Sequence, residues 1–311
     1  MKNLKYIISL GFCLLFASVW AQQDPLYTQY LKNPITINPA ITAYMKIPNI
    51  SLTARTQWSG MEGAPNTAAF SYQSPLSGYN VGIGGNLIHD RIGPVIQTGI
   101  YLNYAYHLTL DNEKERELSM GLMGGFNYYS FDLLPLRINE TDNLINPSDG
   151  INRRFLPNFG VGLFYHSPQF FFGASIPKLL RNSLSEGDNS LTVEDKEERH
   201  LFAMTGAIID LNNDFKFRPS AIGRMVNGAP VSADINATLV YNEEIWIGAL
   251  YRIGVSWGGM LGWQLNDRTY LAYSYDFNHR LLRGMGFNTH EIMISFNLQV
   301  ETQRVTSPRY F

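Results

Sequence analysis

From Val231 to Phe277 the chain reads in twos. Val231, Ala233, Ile235, Ala237, Leu239 and Tyr241 are apolar, while Ser232, Asp234, Asn236 and Thr238 between them are small or polar. Past Asn242-Glu243-Glu244, a second run sets Ile245, Ile247, Ala249, Tyr251, Ile253 and Val255 against Gly248, Arg252 and Gly254, with Trp246 and Leu250 as apolar exceptions on the polar face. A third run, after Ser256, sets Trp257, Leu261, Trp263 and Leu265 against Gln264 and Asn266. A fourth, after Asp267-Arg268, sets Leu271, Tyr273, Tyr275 and Phe277 against Ala272, Ser274 and Asp276. A period of two marks extended strands with one apolar face, and polar turns of two or three residues mark antiparallel hairpins. Each run is about 9 to 11 residues long, enough to cross a bilayer when tilted. A soluble sandwich would alternate too. The aromatic residues near the strand ends, and a polar face of Gly, Ser, Asn and Thr where a solvated face carries Lys and Glu, favour an all-β transmembrane barrel.

The same reading along the whole chain predicts fourteen strands, at 48–58, 66–74, 79–89, 95–109, 117–131, 156–166, 169–176, 200–210, 214–226, 231–241, 245–255, 257–266, 269–277 and 288–300. An even count suits a closed antiparallel wall. The connections alternate in length: 132–155, 177–199 and 278–287 fall in one class, and the turns 167–168, 242–244 and 267–268 in the other. That is the pattern of long outside loops and short periplasmic turns. A one-residue connection at Ser256 breaks it.

Composition narrows the class further. Lys2 and Lys5 precede an apolar stretch from Tyr6 to Val19, and Val19-Trp20-Ala21 offers a small residue for cleavage, so residues 1–21 read as a secretory signal peptide. The single cysteine, Cys13, lies inside it, so the mature chain needs no disulfide and holds no thiolate metal site. Removing Lys2 and Lys5 from 24 basic residues leaves 22 against 26 acidic ones, a net charge of −4, which argues against nucleic acid as a partner. Charged residues are 16% and aromatics 13% of the chain, as expected where every second strand residue faces lipid. The domain reading is therefore a signal peptide at 1–21, an N-terminal segment at 22–47, an outer-membrane barrel at 48–300 and a tail at 301–311.

The segment 22–47 does not alternate. Asn33-Pro34 and Asn38-Pro39 form turns, and Tyr27, Tyr30, Leu31 and Tyr44 are more apolar than a free tail needs. We expect it to pack at or in the periplasmic mouth as a plug or a contact for periplasmic machinery, through Asp24, Pro25, Tyr27, Gln29, Tyr30, Asn33, Asn38 and Pro39. The run Gly82-Ile83-Gly84-Gly85 lies in a strand and opens no helix, so it is no phosphate loop; it permits close backbone approach. Six scattered histidines form no metal-binding spacing, and nothing reads as catalysis, so neither an enzyme nor a cofactor is expected. Polar residues on the inward faces are expected to brace the lumen. The loops 59–65, 132–155 and 177–199 are where a client or surface partner would dock.

Several stretches carry a resemblance to a known family. They are QDPLYTQY (23–30), NPA (38–40), RTQWSGMEGAPNT (55–67), HDRIGP (89–94), FRPSAIGR (217–224), GAPVSADIN (228–236), WIGALYR (246–252), YSYDF (273–277), THEIMISF (289–296) and the terminal SPRYF. In this order they resemble the PorP/SprF family of outer-membrane proteins of the type IX secretion system of Bacteroidetes. The resemblance implies a barrel that works with the secretion apparatus, supporting export or surface attachment of large adhesins, including those used in gliding. It implies as partners the ring or peptidoglycan-linked components of the machinery and the C-terminal domain of a secreted adhesin, besides outer-membrane lipid. The motif residues expected at the lumen or rim are Arg55, Trp58, Asp90, Asp234, Arg252, Asp276, His290 and Glu291. The competing reading is a passive transporter, porin-like or fatty-acid-carrier-like, because a barrel of this size is wide enough to conduct.

Overall fold

The computed structural model describes residues 27–111, 115–132, 151–183, 197–227, 229–278 and 287–298. The N-terminal residues before Tyr27, including Asp24 and Pro25, lie outside them, as do the tail and most of the two longest loops. Fifteen strands follow one another: β1 (Asn49–Thr56), β2 (Asn66–Pro75), β3 (Val81–Ile92), β4 (Val95–Asp111), β5 (Arg116–Asp132), β6 (Ile151–His166), β7 (Phe170–Ile176), β8 (His200–Ala207), β9 (Ile209–Asp210), β10 (Phe215–Val226), β11 (Ser232–Tyr241), β12 (Ile245–Arg252), β13 (Ser256–Gln264), β14 (Thr269–Asn278) and β15 (Thr289–Asn297). β8 and the two-residue β9 share one place in the wall, since both pair with β10. Every other neighbour is the next strand in sequence, and β15 returns to pair with β1. The result is a closed antiparallel barrel of fourteen wall positions.

The period of two settles which way each side chain looks. Along β4, Leu102 is 72% exposed and its neighbour Asn103 only 4%. Ile100, Tyr104 and Tyr106 share the outward face with Leu102, and Tyr101, Ala105 and His107 face in with Asn103. The outward apolar face continues round the wall through Phe159, Phe172, Ile235, Ile247, Trp263 and Ile292. Bare in water, such a band would be a severe liability; in a bilayer it is the solvated face. Among the described residues no helix is long and apolar enough to cross a membrane, so the crossing falls to strands.

Two local readings change. The turn between β12 and β13 is Ile253-Gly254-Val255, with Arg252 opposite Ser256, so Ile253 and Val255 leave the strand and the one-residue connection disappears. Gly254 takes φ +72, a left-handed conformation that costs glycine nothing. Similarly, β6 begins at Ile151, five residues before the alternation became legible at Leu156.

The larger change concerns the interior. The inward face is not uniformly polar. Phe164, Phe171, Phe202, Met204, Ile222 and Leu250 point in from the wall and form one buried cluster with Tyr27, Tyr30, Ile37, Ala40, Ile41 and Tyr44 of the N-terminal segment. Trp246 is 3% exposed on the same side. The two exceptions to the alternation, Trp246 and Leu250, therefore face a packed interior and not water.

Candidate functional site: a segment threaded through the lumen

Residues 27–47 lie inside the ring as turns and two short 3-10 stretches, Pro34–Thr36 and Pro39–Ile41. Pro sits at the first position of each, where a missing N–H costs nothing and φ is already set. Asn38 caps the second: its side-chain oxygen accepts from the Ala40 N–H at 3.0 Å, and its Nδ2 donates to the Leu163 carbonyl on β6 at 3.0 Å. Tyr30, Ile35, Asn38, Ala40, Ile41 and Thr42 are fully covered.

The wall is shaped to receive this backbone. A Cβ on Gly121 would overlap Pro39 and Ala40, and one on Gly82 would overlap the Thr42 carbonyl. Wall glycines thus admit main chain where any side chain would stand. Polar wall groups then satisfy the segment's own carbonyls and N–H groups, which have no sheet partner. Asn86 donates to the Ile35 carbonyl at 3.2 Å, Ser175 to the Ile37 carbonyl at 2.9 Å, and Gln73 accepts from the Ala43 N–H at 2.8 Å. Asn33 donates to Ser71 at 2.7 Å.

The segment is anchored at both ends. Near the end of the barrel that carries the long loops, Arg55 on β1 meets Glu291 on β15 at 2.7 Å and Asp276 on β14 at 3.3 Å, all three side chains 2% exposed or less. The Glu291 carboxylate also accepts the backbone N–H groups of Thr28 and Gln29, each at 2.8 Å. The Thr28 hydroxyl accepts from Arg55 at 2.7 Å and donates to Asp276 at 2.6 Å. Beside this group Arg252 holds Asp234 through two nitrogens, at 3.0 and 2.8 Å. At the short-turn end Lys46 meets Glu117 at 3.0 Å, and Glu117 is flanked by His107 at 3.2 Å and His166 at 3.4 Å. His107 also contacts the Thr42 carbonyl at 3.1 Å. The contacts therefore span much of the height of the barrel and are not confined to one mouth.

Of the motif residues named from the sequence, Arg55, Asp276 and Glu291 come together in one network, with the Asp234–Arg252 pair nearby. Asp90 is separate, buried on β3 and accepting from Thr67 at 2.6 Å. Trp58 lies beyond β1 in the turn to Met61. His290 departs from a lumen placement: it alternates with Glu291, so it sits on the outward face, with Nδ1 2.7 Å from the Tyr273 hydroxyl and its ring against Tyr275. Sequence reasoning missed Thr28, Glu117, His107 and His166. The pairing across the short β4–β5 turn was the signal for His107 and Glu117, since Ser119 opposite His107 places Glu117 one inward position further along.

The 177–199 loop sends one acidic side chain inward. Glu197, 6% exposed, accepts from Asn127 at 2.7 Å, Tyr129 at 3.0 Å, Asn158 at 3.2 Å and Asn182 at 2.9 Å. Among the described residues two cavities lie beside the segment, one of about 20 Å³ next to Lys32 and Trp246 and one of about 70 Å³ next to Tyr27 and Tyr101. Among the described residues no cluster of His, Cys, Asp or Glu is placed to hold a metal.

Residues 19–296 match the model of a family described as type IX secretion system membrane protein PorP/SprF. No curated protein matches the chain. Similar solved structures include the Ralstonia pickettii toluene transporter TbuX, at TM-score 0.51 and 9% identity over 84% of this chain and 92% of that one. A deletion mutant of the monoaromatic hydrocarbon channel TodX gives TM-score 0.50 and 11% identity over 86% and 94%. The Acinetobacter baumannii outer membrane protein Omp33 gives 0.45 and 8% over 81% and 99%. At such identities the first two speak to the barrel fold alone.

Proposed function

Since this chain belongs to the PorP/SprF family of type IX secretion system membrane proteins, we propose that it is an accessory barrel of the apparatus, supporting export or surface attachment of adhesin-type clients. Family and fold together place it in the outer membrane with that machinery. The finer reading gives it two kinds of contact: ring or peptidoglycan-linked components at the short-turn end, and the C-terminal domain of a secreted adhesin at the long-loop end. One observation supports this reading over a conduit: the lumen is occupied by the chain's own residues 27–47, packed on a buried apolar cluster. A pore keeps that space for water or solute.

The rival reading is a passive carrier for small solutes or lipids, suggested by the likeness to the toluene transporter TbuX and the monoaromatic hydrocarbon channel TodX. It requires a continuous path through a lumen where residues 27–44 pack against Phe164, Phe171, Phe202 and Met204 of the wall. Affinity purification of the intact barrel in mild detergent, with mass spectrometry of what accompanies it, separates the two. Secretion-machinery components or an adhesin C-terminal domain should co-purify, and a deletion strain should lose adhesin from its surface. Normal adhesin display in that strain, together with solute uptake by liposomes carrying the purified protein, would reverse the choice.

A further inference from the structure

We propose that Thr28 and Gln29 staple the barrel's closure seam, so that the wall closes stably only with the lumen segment seated. Thirteen of the fourteen neighbouring pairs in the wall are consecutive in the chain, and the exception is β15 with β1. That pair is held by its ladder, from Asn49 opposite Asn297 to Thr56 opposite His290, and by side chains that cross it. Arg55 and Glu291 stand directly opposite each other in this register, and their 2.7 Å ion pair is sealed from water.

By themselves these residues make a poor lock. With the neighbouring Asp234–Arg252 pair, Arg55, Glu291 and Asp276 make a buried group of three carboxylates against two cations. A buried charge is tolerated only when its remaining hydrogen-bonding capacity is met. Thr28 and Gln29 meet it: two consecutive backbone N–H groups take both Glu291 oxygens, and the Thr28 hydroxyl bridges Arg55 to Asp276. Backbone donors supply this without adding a second charge. Remove the segment and the excess carboxylate charge sits at the one place in the wall that no chain connection joins. Closure of the sheet and seating of the segment are therefore one event, and extraction of the segment loosens β1 from β15 before other pairs.

The purified protein in detergent, unaltered and then substituted, tests this. Amide exchange at Thr28 and Gln29 should coincide with exchange along β1 and β15, and those strands should become about tenfold faster than β5–β6 in Thr28→Pro and Gln29→Pro variants, which each delete one donor. The mature chain is expected to lack cysteine, so a disulfide can be placed across the seam at Ser51→Cys with Ser295→Cys, whose hydroxyls lie 3.1 Å apart. It should restore to the proline variants the heat resistance of the folded band in electrophoresis. A disulfide between β8 and β10, at the registered pair Thr205→Cys with Ala221→Cys, should not. Equal rescue by both disulfides, or Thr28 and Gln29 amides that exchange well before the seam in the unaltered protein, would overturn the proposal.

Discussion

Arg55 and Lys46 are both cations paired to a carboxylate, and burial makes them unequal. Arg55 is 1% exposed at the side chain, whereas Lys46 is 64% exposed. Arg55→Ala would leave the buried Glu291 and Asp276 without their direct ion-pair partner, and breaking a buried pair costs about 3–5 kcal/mol. Lys46→Ala removes a solvated partner and should cost about 1 kcal/mol or less. Thermal unfolding followed by the shift of the folded band should separate the two variants clearly. Trp246 and Leu250 make the same point about legibility. Their positions on a polar face were visible in the sequence as departures from alternation, but the reason was not: Leu250 meets apolar residues of the lumen segment some two hundred positions away, and Trp246 packs with Val240, Tyr270 and Ala272 beneath the Lys32 ammonium.

At the scale of elements, the strands were readable and the lumen segment was only half readable. Strand signals are local: two residues decide a face, and a turn of three decides a hairpin. Boundaries slipped where alternation was weak, as at Ile151, and where a glycine turn looked like more strand, as at Gly254. The segment 27–47 announced itself only as too apolar and too proline-bound for a tail. Its route depends on wall glycines at distant positions. Gly121→Ala should therefore displace the Pro39–Ala40 backbone while leaving β5 in register, and an overpacked site of this kind costs about 1–3 kcal/mol. Amide exchange should accelerate at Ala40 and Thr42 with little change along β5 itself.

At the scale of the whole molecule, lipid outside and a filled lumen inside predict two behaviours. The protein should partition into detergent, as the exposed apolar face requires. In planar bilayers it should conduct little. Deletion of residues 27–45 should raise conductance and loosen the seam between β1 and β15. High conductance from the unaltered protein would sink the plugged reading.

Alternation, turn chemistry and composition by themselves determined an all-β membrane barrel, its even strand count and most of its hairpins, because each is a short-range pattern with a direct physical cause. Quoted motifs pointed to the secretion family, and the match over residues 19–296 bears that out. Only the tertiary structure decided that the interior is packed, that His290 faces outward while Glu291 faces in, and that the Glu291 carboxylate takes its hydrogen bonds from Thr28 and Gln29, more than 260 residues away. Such pairings follow from the closure of the ring, which brings the first and last strands together and leaves no trace in any local window of sequence.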